Sequence, residues 1–357
     1  MTKKKINVAV ICGGPSNERE VSLRTGAQIL KVLPKNKYNS RLIEITKNGR
    51  WLLKNKAERD KFLKGEIESS GENAAKAMTI IEKINNPASF DVAFIGMHGK
   101  FGEDGKIQAI LETLGIPHTG SGVLASALGM NKIKTFELVA KSGVKIPKFL
   151  PLYYFPKKRD LKTLHRQVKE MVGYPCVVKP NESGSSIGIT IVRNKKELVS
   201  ALKLAFQEDK VVLIEEYIKG REMTCGVMGN SGRTKLVALP PLEIVPPDGR
   251  FFDYDAKYFS KETKEICPAP VNKKITEEIQ KLAKKAHFVL GCDGLTRSDF
   301  ILSPRNKLYF LEINTIPGLT EASLCPKEAR AAGMSFGEFL DKQIELALLN
   351  TKRHRQR

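Results

Sequence analysis

The stretch TRSDFILSPRNKLYFLEINTIPG, residues 296–318, decides the fold. Two apolar runs flank SPRN and read as a β-hairpin. A turn that pairs Ser303 with Leu308 sets Ile301 opposite Phe310, Asp299 opposite Glu312 and Arg297 opposite Asn314. Each step is two residues, so the four polar side chains share one face. Directly opposite Cβ atoms lie ~5 Å apart. Two facing carboxylates repel unless a cation lies between them. Two carboxylates and an amide oxygen suit Mg²⁺, which takes hard oxygen ligands and completes its shell with phosphate and water. The competing reading is a surface hairpin with scattered charges. Ile301, Leu308 and Phe310 on the same face argue for burial, where unpaired carboxylates are costly. A one-residue slip in register would break the cluster.

IPGLTEASLCP follows directly. Pro317 and Gly318 force a turn whose backbone N–H can point back at the cluster. Ser323 either caps the next short helix or holds a carboxylate there with helix N–H groups. Upstream, KPNESGSSIG (179–188) is a glycine- and serine-rich loop between two β-rich runs. It is not a Walker loop, because its lysine precedes the glycines. Ser183, Gly184, Ser185, Ser186 and Gly188 offer donors that can fold over phosphates as a lid, with Lys179 adding charge. The bland alternative is an exposed hairpin turn.

Outward from these motifs the chain alternates strands and helices. INVAVIC (6–12), YNSRLIEI (38–45) and DVAFIGMHG (91–99) read as strands, with a helix from about Glu18 to Leu33. That pattern predicts a parallel, doubly wound sheet whose ligands sit beyond the strand carboxyl ends, where GGPSNE and MHGKFGEDG fall. NKIKTFELVAKSG (131–143) is a helix with a glycine stop, and prolines 147, 151 and 156 mark a boundary. VVLIEEYI (211–218) is a strand, 275–290 a helix and 335–349 the last helix.

The 357 residues are 41% hydrophobic, enough for two or three domains. No run of ~18 apolar residues exists, so no segment should span a membrane. MTKKKINVAVICGGP resembles a signal peptide at first sight, but it lacks an A-x-A-like site and reads better as a first strand. The six cysteines form no C-x-x-C pair and read as reduced thiols of a cytoplasmic protein. Sixty basic against 39 acidic residues give +21. The lysines are spread without interleaved aromatics, so this charge reads as attraction for phosphorylated or carboxylated small molecules. A basic nucleic-acid-binding protein is the rival from another class.

With these motifs in hand, the chain resembles the D-alanine–D-alanine ligase family of the ATP-grasp superfamily. GGPSNEREVSLRTG (13–26), HGKFGEDGKIQAILETLGIPHTGSGVLASALGMNK (98–132), YPCVVKPNESGSSIG (174–188), IEEYIKGREMT (214–224), FFDYDAKY (251–258) and the hairpin with IPGLTEASL carry the likeness, in order and over nearly the whole chain. The resemblance implies an α/β ATP-grasp fold of three domains. These are a Rossmann-like substrate domain at 1–121, a central subdomain with the phosphate lid at 122–214, and a C-terminal domain for ATP, Mg²⁺ and catalysis at 215–357. The nucleotide would be sandwiched between the latter two.

It further implies ATP, two D-alanines and two Mg²⁺ ions, with Mn²⁺ able to substitute, on Asp299, Glu312 and Asn314. Lys132, Lys179 and Lys257 would meet ATP phosphates beside Ser185 and Ser186. Glu215, Glu216, Tyr217 and Ile218 would form the strand facing adenine, with Glu222 at the ribose. Glu18 and His98 would hold the first D-alanine, and Ser323 and Leu324 the carboxylate of the second. Arg297 and the Gly318 N–H would meet the oxyanion, while Ser185 and Tyr258 link two loops with Glu18. Bland readings compete at several positions: a solvated helical turn for Glu18, a loop histidine for His98, packing for Tyr258, and surface charges for Lys257 and Glu222. The family also implies a homodimer.

MNK at 130–132 departs from the MDK common in relatives and puts only a local helix cap in question. Residues 48–88 are longer than in compact members. The sister activities, ligation of D-alanine to D-serine or, less well, to D-lactate, remain as alternatives. Tyr258 favours an amine acceptor over a hydroxy acid.

Overall fold

The computed structural model describes residues 4–65, 90–184, 187–246 and 263–351. Ser185, Ser186, Lys257 and Tyr258, and most of the 48–88 stretch, lie outside them. β1 (Ile6–Gly13) pairs in parallel with β2 (Tyr38–Ile45), β3 (Trp51–Leu53) joins β2 antiparallel, and β4 (Val92–Ile95) runs parallel to β1. The sheet order is β3-β2-β1-β4. Val8, Val10 and Cys12 enter one core, and Ala9 and Ile11 another, because successive side chains point to opposite faces. INVAVIC is therefore apolar throughout: both faces of the strand are covered. The helix Arg19–Val32 and the last helix, Phe336–Thr351, lie on the Val8 side, where Leu23, Ile29, Phe339 and Ile344 are buried together.

A second sheet is built from β5 (Phe149–Leu152), β6 (Cys176–Pro180), β7 (Thr190–Val192) and β8 (Val212–Glu216), in the order β5-β8-β6-β7. The helix Leu198–Glu208 covers it through Leu198, Ala201, Leu202 and Ala205. The third sheet holds β9 (Arg221–Met228), β10 (Val237–Ala238), β11 (Leu242–Val245), β12 (Lys264–Ile266), β13 (Leu295–Leu302) and β14 (Leu308–Asn314). Its path is β12-β11-β9-β13-β14, with β10 on β9. The helices Lys132–Lys141 and Lys273–Val289 share its core, Phe136 packing with Phe300 and Phe310.

Two expectations need correction. β8 stops at Glu216, so Tyr217 and Ile218 lie beyond the strand. The chain changes sheets there, and Gly220 packs so close to Leu302 that a Cβ would come within 2.4 Å of its carbonyl oxygen. In the decisive hairpin the turn-proximal pairs are Leu302 with Leu308, Ile301 with Tyr309 and Phe300 with Phe310, one residue off the expected register. An irregularity between Asp299 and Phe300 then restores it, so Asp299 faces Glu312 and Arg297 faces Asn314 as expected. Phe310 and Leu308 consequently lie on the core face with Phe300, not on the polar face.

Candidate active site

Parallel pairing of β1 with β4 brings their carboxyl ends together, and two of the expected substrate residues with them. Ser16 Oγ donates to the His98 carbonyl at 2.7 Å and accepts from the Glu18 N–H at 3.2 Å. The His98 ring is buried. Nε2 pairs with Thr25 Oγ1 at 2.8 Å and Nδ1 with the Ile316 carbonyl at 3.1 Å, a bridge from the first sheet to the loop after β14. The ring is tied to backbone, as the loop-histidine reading expects, and it also lines the cavity described below.

Glu103, in the FGEDG turn, stands 3.6 Å from His98 Nδ1. Burial, with the neighbouring Glu18 carboxylate, pushes its pKa up against the pull of His98. Glu18 itself packs against two glycines. A Cβ at Gly99, where φ is +70°, would come within 2.4 Å of Glu18 Oε2, and one at Gly184 within 2.8 Å. The glycine loop therefore reaches Glu18 at van der Waals distance.

On the third sheet, Arg297 grips Asp299 with a fork. Nε donates to Oδ1 at 2.8 Å and Nη2 to Oδ2 at 2.7 Å, both side chains nearly buried. Burial works against the Arg297 charge, but the Asp299 carboxylate more than offsets it, and the guanidinium pKa ends well above its ordinary value. Glu312 Oε2 lies 3.6 Å from Lys132 Nζ. Asn314 Oδ1 accepts from the Ile316 N–H at 3.1 Å, which leaves that oxygen a second lone pair. Glu222 shares this face, since its register partner is Ile301.

Lys132 opens its helix with a buried ammonium that donates to the Ser183 carbonyl at 2.7 Å. Burial lowers its pKa, Glu312 opposes that, and Lys179 adds to it. Lys179 pairs with Glu215 Oε1 at 2.6 Å and stands 5.3 Å over the Phe136 ring. Burial raises the Glu215 pKa against the pull of Lys179. The Glu215 side chain is thus committed to Lys179, while Glu216 Oε2 accepts from the Lys148 N–H at 3.2 Å.

After β14 the chain turns at Pro317 and Gly318 toward the helix Leu324–Ala331. Ser323 occupies the N-cap position with extended backbone, yet its hydroxyl makes no cap bond. Instead its Oγ pairs with Thr320 Oγ1 at 2.8 Å and accepts from the Thr320 N–H at 3.1 Å. A Cβ at Gly318 would come within 2.9 Å of that same oxygen.

These pieces meet around one cavity of about 650 Å³. Glu18, His98 and Glu103 line it from the first sheet; Lys132 and Gly184 from the loop side; Arg297, Glu312 and Asn314 from the hairpin. Gly318, Ser323 and Leu324 close it at the helix start. Lys179, Glu215, Glu216, Tyr217, Ile218, Glu222 and Asp299 are not in its wall. Glu103 was not among the expected residues: it sits in a quoted motif but was indistinguishable there from a solvated turn acid. Among the described residues no group of three His, Cys, Asp or Glu side chains is assembled for a metal. All six cysteines are free, and no helix among those described is long and apolar enough to cross a membrane.

The whole arrangement has close counterparts. A D-Ala:D-Ser ligase, VanG of Enterococcus faecalis, is 33% identical with a TM-score of 0.81, over 96% of this chain and 100% of that one. A D-alanine–D-alanine ligase of Bacillus anthracis, solved in complex with ATP, is 32% identical with a TM-score of 0.74, over 98% and 99%. Fold and site therefore define an ATP-dependent ligase of the ATP-grasp class. The model of the D-ala D-ala ligase N-terminus matches residues 7–121 and that of the C-terminus residues 138–345. The ligase of Syntrophobacter fumaroxidans is 42% identical over 349 residues, 98% of this chain and 99% of its own. The chain belongs to the D-alanine–D-alanine ligase family. These relatives give the nucleic-acid reading no support.

Proposed function

We propose that this protein joins two D-alanine molecules at the expense of ATP, through an acyl phosphate, to supply a peptidoglycan precursor. The observation that carries the reading is the cavity on which Glu18 and His98 converge with Arg297, Gly318 and Ser323. A carboxylate is a poor acyl donor, and γ-phosphoryl transfer turns it into one with a good leaving group. Glu18 binds the ammonium of the first D-alanine, and His98, held by Thr25 and Ile316, fixes that end of the cavity. Lys132 and Lys179 offset phosphate charge, and the burial that lowers the Lys132 pKa leaves it responsive to an arriving anion. The second D-alanine rests its carboxylate on Ser323 and the helix start at Leu324. Its neutral amine attacks the activated carbonyl, and Arg297 with the Gly318 N–H stabilises the oxyanion. The glycine loop beside Glu18 keeps water from the acyl phosphate.

The oxygen donors fit magnesium. Asp299 and Glu312 are register partners, Asn314 keeps a lone pair, and all three offer hard oxygens. Asp299, Glu312 and Asn314 would hold two Mg²⁺ ions that neutralise charge on the β- and γ-phosphates. The two carboxylates are engaged by Arg297 and Lys132, so the ions are expected to arrive with the nucleotide rather than ahead of it.

The test is phosphate release with ATP and Mg²⁺ over a panel of D-alanine, D-serine and D-lactate, with products separated by mass. D-Alanyl-D-alanine with D-alanine alone is expected. A mixed product that dominates when D-serine is added favours the second reading, a D-alanine–D-serine ligase, which the likeness to the VanG enzyme motivates. No phosphate release with any amino acid sinks both.

A further inference from the structure

Three consecutive residues at the stem of the glycine loop are tied to three consecutive residues at the start of the Lys132 helix. Asn181 Oδ1 accepts from the Ile133 N–H at 3.0 Å, and its carbonyl accepts from the Lys132 N–H at 3.3 Å. Glu182 Oε1 accepts from Asn131 Nδ2 at 2.7 Å. The Ser183 carbonyl accepts from Lys132 Nζ at 2.7 Å. Only the middle tie depends on the side chains at 131 and 182.

Asn131 uses both ends of its amide. Its Oδ1 accepts from the Lys134 N–H at 3.0 Å and caps the helix. Its Nδ2 faces Glu182. Serine, threonine or aspartate would serve the cap about as well. An amide alone caps with one atom and donates with the other. An aspartate here would set its carboxylate at hydrogen-bond distance from that of Glu182, in a half-buried place where like charges repel. The Glu182 backbone is anchored as well, its N–H held by Asp209 Oδ2 at 2.5 Å.

We infer that Asn131 and Glu182 are a matched positioning pair. Their bond fixes the loop stem against the helix start and so sets where the Lys132 ammonium stands between the Ser183 carbonyl and Glu312. Neither side chain needs to touch the nucleotide. The inference rests on the reading of Lys132 as a phosphate contact.

The test is steady-state kinetics of the full chain, ATP varied at saturating D-alanine, with melting followed in parallel. Asn131→Asp raises KM for ATP about tenfold, the loss of a charge-assisted bond plus repulsion, while the retained cap keeps the melting midpoint within a few degrees. Glu182→Gln stays near wild type, because its amide oxygen still accepts. The double variant N131D/E182Q, with the donor moved to the other side, returns to within about threefold. A wild-type KM in N131D overturns the pair, as does a double variant no better than N131D, or a defect confined to stability. Lys132→Ala separates the two levels. If that variant keeps a wild-type KM for ATP, the phosphate reading fails. If it is impaired while N131D is normal, only the pair falls.

Discussion

Arg297 and Asp299, two residues apart on one strand, are joined by a bidentate ion pair of 2.8 and 2.7 Å. The Asp299 carboxylate, which faces Glu312 across the hairpin, is thus neutralised by a protein cation, and Glu312 has Lys132 at 3.6 Å. The repulsion between facing acids, which at first argued for a metal, is met by residues on hand. Under the proposed function, the cations that hold the acids are also those that would meet negative charge when substrate arrives.

Arg297→Ala follows from this pair. Turnover should fall by about 100-fold or more, the usual loss for one oxyanion donor. Asp299 is then buried beside Glu312 without its partner, so the variant should also melt earlier, by about 3 kcal/mol. Mg²⁺ without nucleotide should raise its melting midpoint more than that of wild type, because an acid pair without its arginine is a better cation site. Near-normal turnover in a folded variant refutes the oxyanion role; an equal Mg²⁺ response in both refutes the account of the pair.

Gly184→Ala tests whether Glu18, which the glycine loop approaches closely, binds the first D-alanine. The added methyl would meet Glu18 Oε2 at 2.8 Å, and the carboxylate must swing aside. KM for the first D-alanine should rise by about tenfold, with thermal stability changed by no more than ~1 kcal/mol, since the displaced atom ends a flexible side chain. Wild-type KM for both D-alanines would mean that Glu18 does not bind substrate from this position.

The hairpin explains how much of the site could be read from sequence. A constant register from Ser303 and Leu308 is wrong at the turn and right at the active end, because two one-residue offsets cancel. The first was legible: Pro304, Arg305 and Asn306, with Asn306 at φ +54°, form a three-residue turn that bonds the Ser303 N–H to the Lys307 carbonyl at 2.9 Å. The second lies in LYFLEIN, where buried residues fall at Leu308, Phe310 and Ile313. That step from two to three is a bulge, which keeps Ile313 in the core and turns Glu312 and Asn314 to the site. Beside it Phe300 packs on Phe310, ring centroids 5.7 Å apart, a tertiary contact that no local rule foretells.

Elsewhere the parallel strands were plain because their apolar runs are uninterrupted, and Glu18 and His98 fall at their carboxyl ends for that reason. The end of β8 was not plain. EEYI keeps strand-like residues while the backbone leaves one sheet for another, a tertiary event. The capping doubt at Asn131 resolves into a made cap and a second bond to Glu182, a partner 51 residues away.

Glu328 offers a prediction in pH. It lies fully buried beneath β9, its Oε2 accepting from the Gly226 N–H at 2.7 Å, and burial raises its pKa to about 8. The unfolded chain releases this proton near pH 4.5 and the folded chain near 8, so between those values the folded state holds more protons and stability falls as pH rises. His287 acts in the opposite sense: burial lowers its pKa to about 4, so its contribution is lost as pH falls from 6.5 toward 4. The two oppose each other below pH 6.5; above it the Glu328 contribution continues without that of His287. Melting curves should show stability declining by roughly 1–2 kcal/mol from pH 6.5 to 8, and Glu328→Gln should flatten that decline. An unchanged slope in the variant would show that Glu328 is ionised at neutral pH.

Glu312→Gln separates the metal role from the lysine partner. The amide keeps the size and one oxygen but loses the charge that a hard divalent cation needs. If Glu312 is a ligand, half-saturating Mg²⁺ in the phosphate-release assay should rise about tenfold or more. The melting shift given by ADP with Mg²⁺ should shrink accordingly, since a bound ligand stabilises by its concentration over its dissociation constant. If Glu312 serves only to hold Lys132 at 3.6 Å, KM for ATP changes while the Mg²⁺ requirement stays put. Mn²⁺ in place of Mg²⁺ sharpens the comparison, because a metal role predicts that the variant's defect depends on which ion is supplied, and a purely structural role predicts the same defect with either.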